Sequence, residues 1–393
     1  MDLGFSSEQE ALRDEFRKAL ANTDPRSAFE GAPHPSGVGD AGLWQRLAEL
    51  GWLATLVPEA FGGSGLEPAT ACMLAEEIGR SLAAVPFAAS ACSFTDALVR
   101  VADAATAAAL LPGLADGSVR GLPLTDDCWA HAPRLSDDSP ARRPALSGRA
   151  FNVLDGAAAT HGLALVGADA DARLVLIELS PACRLPHAAG APLDLLHPCA
   201  SFEFEALPVQ VLAQGPAAVQ HWERCVDSHA LFVAFEQLGG AEAALDAARR
   251  YSLERFAFGR AIGSFQALKH LMADMLVAID LARSNCYFGA AALARGGELL
   301  SEAAAVARIS ATAAYQACAI GSTQVHGALG VTWESNCHLA YRRAQALAGH
   351  PGSQRSWKER LVALLARRAD ARDARDAFEP RSMGHATPRV ASS

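Results

Sequence analysis

The sequence predicts an α+β chain that is mainly helical. It divides into an N-terminal helical domain over 1–120, a small antiparallel β-domain over 121–215, a C-terminal four-helix bundle over 216–370 and a largely disordered tail over 371–393. Three observations predict this. Apolar residues recur at helical spacing towards both ends of the chain. Short β-friendly runs are confined to the middle. The 393 residues, 51% of them hydrophobic, are too many for one compact core and enough to bury several.

The elements follow in order. "SSEQEALRDEFRKAL" offers two overlapping capping boxes, Ser6 with Gln9 and Ser7 with Glu10, before an amphipathic run. A helix over "AGLWQRLAEL" stops at Gly51, and a Gly-rich turn follows. The next helical run breaks at Pro86, because proline lacks the amide that continues a helix. "LALVG" and "RLVLIEL" read as strands, and Phe202 and Phe204 alternate with polar residues as on a half-buried sheet. Leu268, Leu271, Met272, Met275, Ile279 and Ala282 then form one helical stripe. The closing "PRSMGHATPRVASS" lacks the apolar content to fold and reads as disordered.

Composition excludes several classes. A net charge of -9 without a basic stripe argues against nucleic acid. No apolar run approaches the roughly 18 residues of a membrane span, and "MDLGFSSEQE" has no signal-peptide pattern. Nine scattered cysteines without a C-x-x-C pair read as free, mostly buried thiols of a reducing cytoplasm. Gly37, Gly39 and Gly42 match G-x-G-x-x-G, but "APHPS" before them cannot be a strand, so the stretch reads as a flexible linker. His221, Cys225 and His229 share a helix face, yet the outer two stand roughly 12 Å apart. They read as polar positions at a helix start, and no metal site is expected.

One stretch carries ligand chemistry: "ERFAFGRAIGSFQALKHLMADML", residues 254–276. Arg255 presents a planar fork suited to a diphosphate. Phe256 and Phe258 can stack on a heterocycle. Gly259 and Gly263 bracket a tight loop, and Ser264 is the expected N-cap of a helix from Phe265. The residues describe either a clamp for an aromatic anion or a surface turn whose phenylalanines enter the core. A second cluster, "STQVHGALGVTWESNCHLAYRRA", closes a long Ala-rich helix with Gln324, Gly327 and Gly330. Glycine there lets backbone approach a ligand.

Together, "ERFAFGRAIGSFQALKHLMADM", "QVHGALGVTWE" with "HLAYRRA", and the N-terminal "LGWLATLVPEAFGGSGLEPATACMLAEEIGRS" resemble the acyl-CoA dehydrogenase family, in the same order and over about residues 1–366. The resemblance implies FAD held between the β-domain and the bundle and across a subunit interface. It implies Arg255 and Phe258 at the diphosphate and adenine side, Gln266 beside them, and Gln324 and Gly327 on the ADP half of a neighbour's FAD. It further implies an acyl-CoA substrate, an electron-transfer flavoprotein as acceptor, and a homo- or hetero-oligomer with a homologous subunit.

Departures from the family pattern bear on catalysis. The second of two expected glycines after His326 is Ala328. The flavin-facing stretch is the degenerate "LPLTDDCWAH", leaving Thr125 and Trp129 to face the ring. The family's glutamate base falls at or beside Pro351 in "QALAGHPGSQ", or at His229 on the first bundle helix, and neither is a carboxylate. His229 and Glu236 are the candidate bases. The expectation is therefore a subunit, similar to those of heterotetrameric steroid side-chain acyl-CoA dehydrogenases, that lacks the base and completes a partner's FAD site. The alternatives are a self-sufficient acyl-CoA dehydrogenase with a non-standard base, and a flavin monooxygenase on the same fold.

Overall fold

The computed structural model describes residues 5–30, 37–137, 143–185 and 192–378. Helix α1 (Ser7–Leu20) opens with a capping box, in which Ser6 Oγ accepts from the Gln9 amide and the Gln9 side chain accepts from the Ser6 amide. The overlapping pair Ser7 and Glu10 lies inside the helix instead. Helix α2 (Ala41–Glu49) ends just before Gly51, whose φ of 78° turns the chain. Helix α3 (Pro68–Ser81) runs to Leu82, and a π-helix (Phe87–Phe94) begins directly after Pro86. Short helices α4 (Thr95–Val101) and α5 (Ala104–Ala115) complete this part. The Gly37–Gly42 stretch is packed rather than loose: Val38 is buried, and a Cβ on Gly37 would strike the Ala157 carbonyl.

Two four-stranded sheets follow. The strands are β1 (Gly121–Pro123), β2 (Arg134–Ser136), β3 (Ala145–Val153), β4 (His161–Val166), β5 (Arg173–Glu178), β6 (Arg184–Leu185), β7 (Ala200–Pro208) and β8 (Gln210–Gln214). One sheet has the order β1-β4-β5-β8 and the other β2-β3-β7-β6. All pairings in the two sheets are antiparallel except β1 with β4. Phe202 and Phe204 both face the core from β7.

The bundle comprises α6 (Gly215–Glu254), α7 (Gln266–Leu293), α8 (Gly297–His326), α9 (Cys337–Gly349) and α10 (Gln354–Phe378). Helix α10 thus continues through residues expected to belong to the tail; 379–393 lie outside the described residues. On α7, Met275, Ile279 and Ala282 are buried while Leu268, Leu271 and Met272 pack against the same core. That core is shared: Phe16, Leu47 and Ile78 from α1–α3 join Phe235, Ile279 and Tyr315 of the bundle. Helices α3 and α6 cross at two glycines, and a Cβ on Gly79 would meet the Glu236 carbonyl while one on Gly239 would meet that of Glu76, each at 1.8 Å. Among the described residues all nine cysteines are free, and no helix is long and apolar enough to cross a membrane.

Candidate functional site

Helix α6 carries both candidate bases, and the structure gives each a partner set. His229 is buried, not at a solvated helix start, as is Cys225 one turn before it. Its Nδ1 lies 2.7 Å from Ser93 Oγ on the π-helix. Its Nε2 lies 3.1 Å from Nε2 of His350, the residue before Pro351. The other nitrogen of His350 faces the Asp127 carboxylate at 3.6 Å. His229 and His350, the residue before Pro351, are therefore neighbouring imidazoles, and neither leaves a ring nitrogen uncommitted.

Protons along this chain follow from Ser93. Its single hydroxyl hydrogen is donated to the Ala88 carbonyl at 2.6 Å, so Ser93 Oγ accepts from His229 Nδ1–H. His229 then accepts at Nε2 and is neutral. Burial, and secondarily His350, depresses its pKa far below the usual imidazole range, in agreement. Burial alone would raise the Asp127 carboxyl, but the His350 contact outweighs it and holds the group well below the usual range. Arg308 fixes the backbone: it donates to the His350 carbonyl at 2.7 Å, to Gln237 Oε1 at 2.7 Å, and to Leu347 O and Thr312. Its guanidinium is fully buried, which pushes it down to about 9.

Glu236 belongs to a different network. Its carboxylate lies 3.2 Å from His197 Nε2 and 3.4 Å from Arg343. His197 Nδ1 bonds Asp155 at 2.7 Å, and Arg343 bonds Asp194 at 3.2 Å and the Ala83 carbonyl at 3.0 Å. Burial lowers the His197 pKa, but Asp155 and then Glu236 carry it up to about 10. A carboxylate held between two buried cations is an unfavourable proton acceptor; here it ties α3, the β7 approach and α9 to α6.

The residues that the resemblance assigned to a nucleotide lie towards the opposite end of α6. Tyr251 of α6 stacks on His326 of α8 with centroids 4.4 Å apart, so Arg255 and Gln324 sit on the same end of the bundle. Between α6 and α7 the chain forms a hairpin of β9 (Phe256–Ala257) and β10 (Arg260–Ala261) that the sequence did not suggest. Its turn residues Phe258 (φ 54°) and Gly259 (φ 77°) make a primed turn. Helix α7 starts at Gln266, with Phe265 in the capping position; Ser264 instead donates to the Ala261 carbonyl at 2.7 Å. Arg255, Phe258, Gln266, Gln324 and Gly327 are all exposed, Phe258 to 95%. These exposed donors and aromatic faces fit a flavin nucleotide's diphosphate and adenine. The ring-side pair fits less well: Thr125 is buried, and the Trp129 indole N–H is already donated to the Leu124 carbonyl at 3.2 Å.

Two further features lie on the bundle. Leu276, Val277 and Leu281 on α7 and Ile320 on α8 are large apolar side chains left exposed. A groove of about 940 Å³ lies between the start of α6, the α7–α8 turn and α10, lined by Arg100, Arg224, Arg295, Arg360 and Arg367 together with Glu223 and Glu298, and Arg100 and Arg360 are paired with Asp96 and Asp227. Its wall includes Asp227, two residues before His229.

Sequence reasoning missed His350, Asp127, Ser93 and Arg308. His350 was within reach, since it adjoins Pro351, at or beside which the resemblance put the base. Ser93, Asp127 and Arg308 converge only through tertiary packing.

Comparison with known proteins identifies the family. The model described as "Acyl-CoA dehydrogenase, N-terminal domain" matches residues 6–118, and "Acyl-CoA dehydrogenase, C-terminal domain" matches 223–365. Acyl-CoA dehydrogenase FadE34 of Mycobacterium tuberculosis is 32% identical over 91% of this chain, which spans about half (47%) of that protein. Acyl-CoA dehydrogenase IpdE2 of the same organism is 29% identical over 90% of this chain and 96% of its own length. A variant of the Tcur3481-Tcur3483 steroid ACAD superposes with a TM-score of 0.82 at 27% identity, covering 94% of this chain and all of that one. With both terminal family models matched in order and the fold shared throughout, the chain belongs to the acyl-CoA dehydrogenase family.

Proposed function

We propose that this chain takes part in FAD-dependent α,β-dehydrogenation of an acyl-CoA thioester as the subunit that lacks the base and completes a FAD site with a homologous partner. The carrying observation is the His229–His350 contact. Where a carboxylate would remove the α-proton, two imidazoles occupy each other, Ser93 and Asp127. Glu236, the nearest other candidate, is held by His197 and Arg343.

FAD, when bound, supplies the hydride-accepting chemistry. Arg255 and Gln324 would hold its nucleotide end, with Phe258 packed on it. Arg295 and Arg367 in the groove would supply cations for the phosphates of coenzyme A. Exposed apolar surface on α7 and α8 supports a subunit contact. In this reading the protein works in the cytoplasm and passes electrons to an electron-transfer flavoprotein.

The Asp127–His350 pair favours a second reading, in which an oriented imidazole is the base and the chain is self-sufficient. One experiment separates the two. The chain is purified alone and after co-expression with a homologue encoded beside it, and flavin per chain and acyl-CoA turnover are measured. Flavin and turnover only in the mixed assembly support the partner role. Stoichiometric flavin with turnover by the chain alone overturns it.

A further inference from the structure

Helices α7 and α8 lie side by side. The Cys318 thiol of α8 is 3.8 Å from the Met275 carbonyl of α7, and a Cβ on Gly321 would strike the Met275 sulfur at 2.6 Å. At that level of the bundle, Leu276, Val277 and Leu281 of α7 and Ile320 of α8 stand out from the surface, Val277 to 68% exposure. Large apolar side chains left to water at one height of a bundle mark a surface that another protein covers.

Between Ala273 and Leu281 the exposed charges are of one sign. They are Asp274 and Asp280. Asp280 is offset by Arg283 at 2.5 Å, and Arg283 is also committed to Glu242 of α6 at 2.5 Å. Asp274 makes no ion pair or side-chain hydrogen bond among the described residues. Helix α8 brings it no cation, since residues 309–325 contain no Asp, Glu, Lys, Arg or His. Lys269 and His270 precede the stretch, about 6–7.5 Å from Asp274 along the axis.

That pattern works against a symmetric pair. In a two-fold contact each residue meets the one equally far on the other side of the axis. An axis across α7 at Val277 sets Asp274 against Asp280 of a second copy, twice over. Wherever the axis falls between Ala273 and Leu281, an acid of one copy comes within about one helical turn of an acid of the other. An axis along the helix sets each acid beside itself. Bringing Lys269 or His270 opposite Asp274 needs an axis at Leu271 or Met272, and both of these pack into the molecule's own core. If α7 instead crosses α8 of the copy, Asp274 enters apolar surface with no cation, which is costly.

We propose that this α7–α8 face docks an unlike homologous subunit, whose covering helix is apolar and carries a lysine or arginine opposite Asp274, and that the same aspartate disfavours a second copy of this chain. The inference rests on the partner reading above and adds what that partner must bring. A cation there pairs with Asp274 as the surface loses water, whereas a second copy adds repulsion to a charge already stripped of solvent. One side chain thus acts in both directions, for the mixed assembly and against the symmetric one.

The test applies sedimentation velocity and native mass spectrometry to the full-length chain, alone and co-expressed with a homologue encoded beside it. Wild type should bind the homologue about tenfold or more tighter than it binds itself. Asp274→Lys should weaken the mixed assembly about tenfold or more and strengthen self-association by a similar factor, because the new cation lies opposite Asp280 of the copy. Raising the salt from about 0.05 M to about 0.5 M should shrink both shifts. Val277→Arg should break the mixed assembly while thermal unfolding of the isolated chain is unchanged, which separates lost docking from lost folding. Neither flavin nor turnover is read, so an assembly with this charge dependence but no dehydrogenation refutes the catalytic reading and leaves this one standing. The inference is overturned if no mixed assembly forms, if wild type binds itself as tightly as the homologue, or if Asp274→Lys leaves both affinities unchanged.

Discussion

His229 and His350 meet edge to face, with centroids 5.2 Å apart and Nε2 atoms 3.1 Å apart, bringing together two residues 121 positions apart in sequence. The contact joins α6 to the loop before α10, and through Asp127 it reaches the loop after β1. It ties His229, His350, Ser93 and Asp127 into one polar cluster.

Its first consequence concerns turnover. His229→Ala in the assembled complex should leave kcat and kcat/KM within about twofold of wild type, while leaving Ser93 and His350 unpaired costs about 1–3 kcal/mol of stability. Steady-state kinetics and denaturant unfolding check the two halves. A loss of turnover of about a hundredfold or more would identify the imidazole as a general base.

Glu236 should behave in the opposite sense to a catalytic group. Glu236→Gln leaves His197 and Arg343 with less compensating charge, and breaking a buried pair costs about 3–5 kcal/mol. The unfolding midpoint in urea is expected to fall while flavin bound per folded complex is unchanged.

The same network sets a pH dependence. His197 titrates at about 10 in the folded protein against 6.5 for the free side chain, so its stabilisation is complete below 6.5 and is lost as pH rises through about 10. Stability measured from pH 6.5 to 10 should decline in the wild type. His197→Gln should be less stable at neutral pH and flatter across that window.

At the other end of the bundle, Phe258 combines left-handed backbone with nearly full exposure, a conformation that costs an L-residue roughly 1–2 kcal/mol. Phe258→Gly should therefore leave the isolated chain as stable or slightly more so. Flavin retention by the mixed assembly is expected to drop about tenfold, equivalent to about 1.4 kcal/mol of lost contact. Equilibrium dialysis of flavin against the complex measures it. Unchanged retention would remove Phe258 from the ligand surface.

Arg255→Gln and Gln324→Ala test the same proposed ligand surface. Each should weaken flavin binding by about 1–2 kcal/mol with little change in folding, since both side chains are exposed. Flavin fluorescence titration of the refolded apo-assembly reads the effect.

Periodicity was enough to find the helices and the sheet region, because burial of one face writes itself into sequence at 3.6 or 2 residues. The stripe from Leu268 to Ala282 and the pair Phe202 and Phe204 are examples. Local chemistry was harder. Ser264 has the residue type of an N-cap, but the β9–β10 hairpin turns the chain so that its hydroxyl meets Ala261 instead. A primed turn with phenylalanine at its first position has no propensity signal, so the hairpin was invisible. Glu236 is a plausible base by residue type and spacing; only packing against His197 and Arg343 reveals its charges as spoken for. The flexible linker expected at Gly37–Gly42 failed for a related reason, since glycines needed for close packing and glycines left loose look alike in a sequence.

The reciprocal glycine crossing of α3 and α6 has a practical consequence for protein engineers. With a carbonyl from each helix seated where the other's methyl would be, the front third of the polypeptide and the bundle are keyed to one another like two halves of a dovetail joint. A chimera that exchanges α3 between relatives will assemble only if the recipient α6 brings a matching notch.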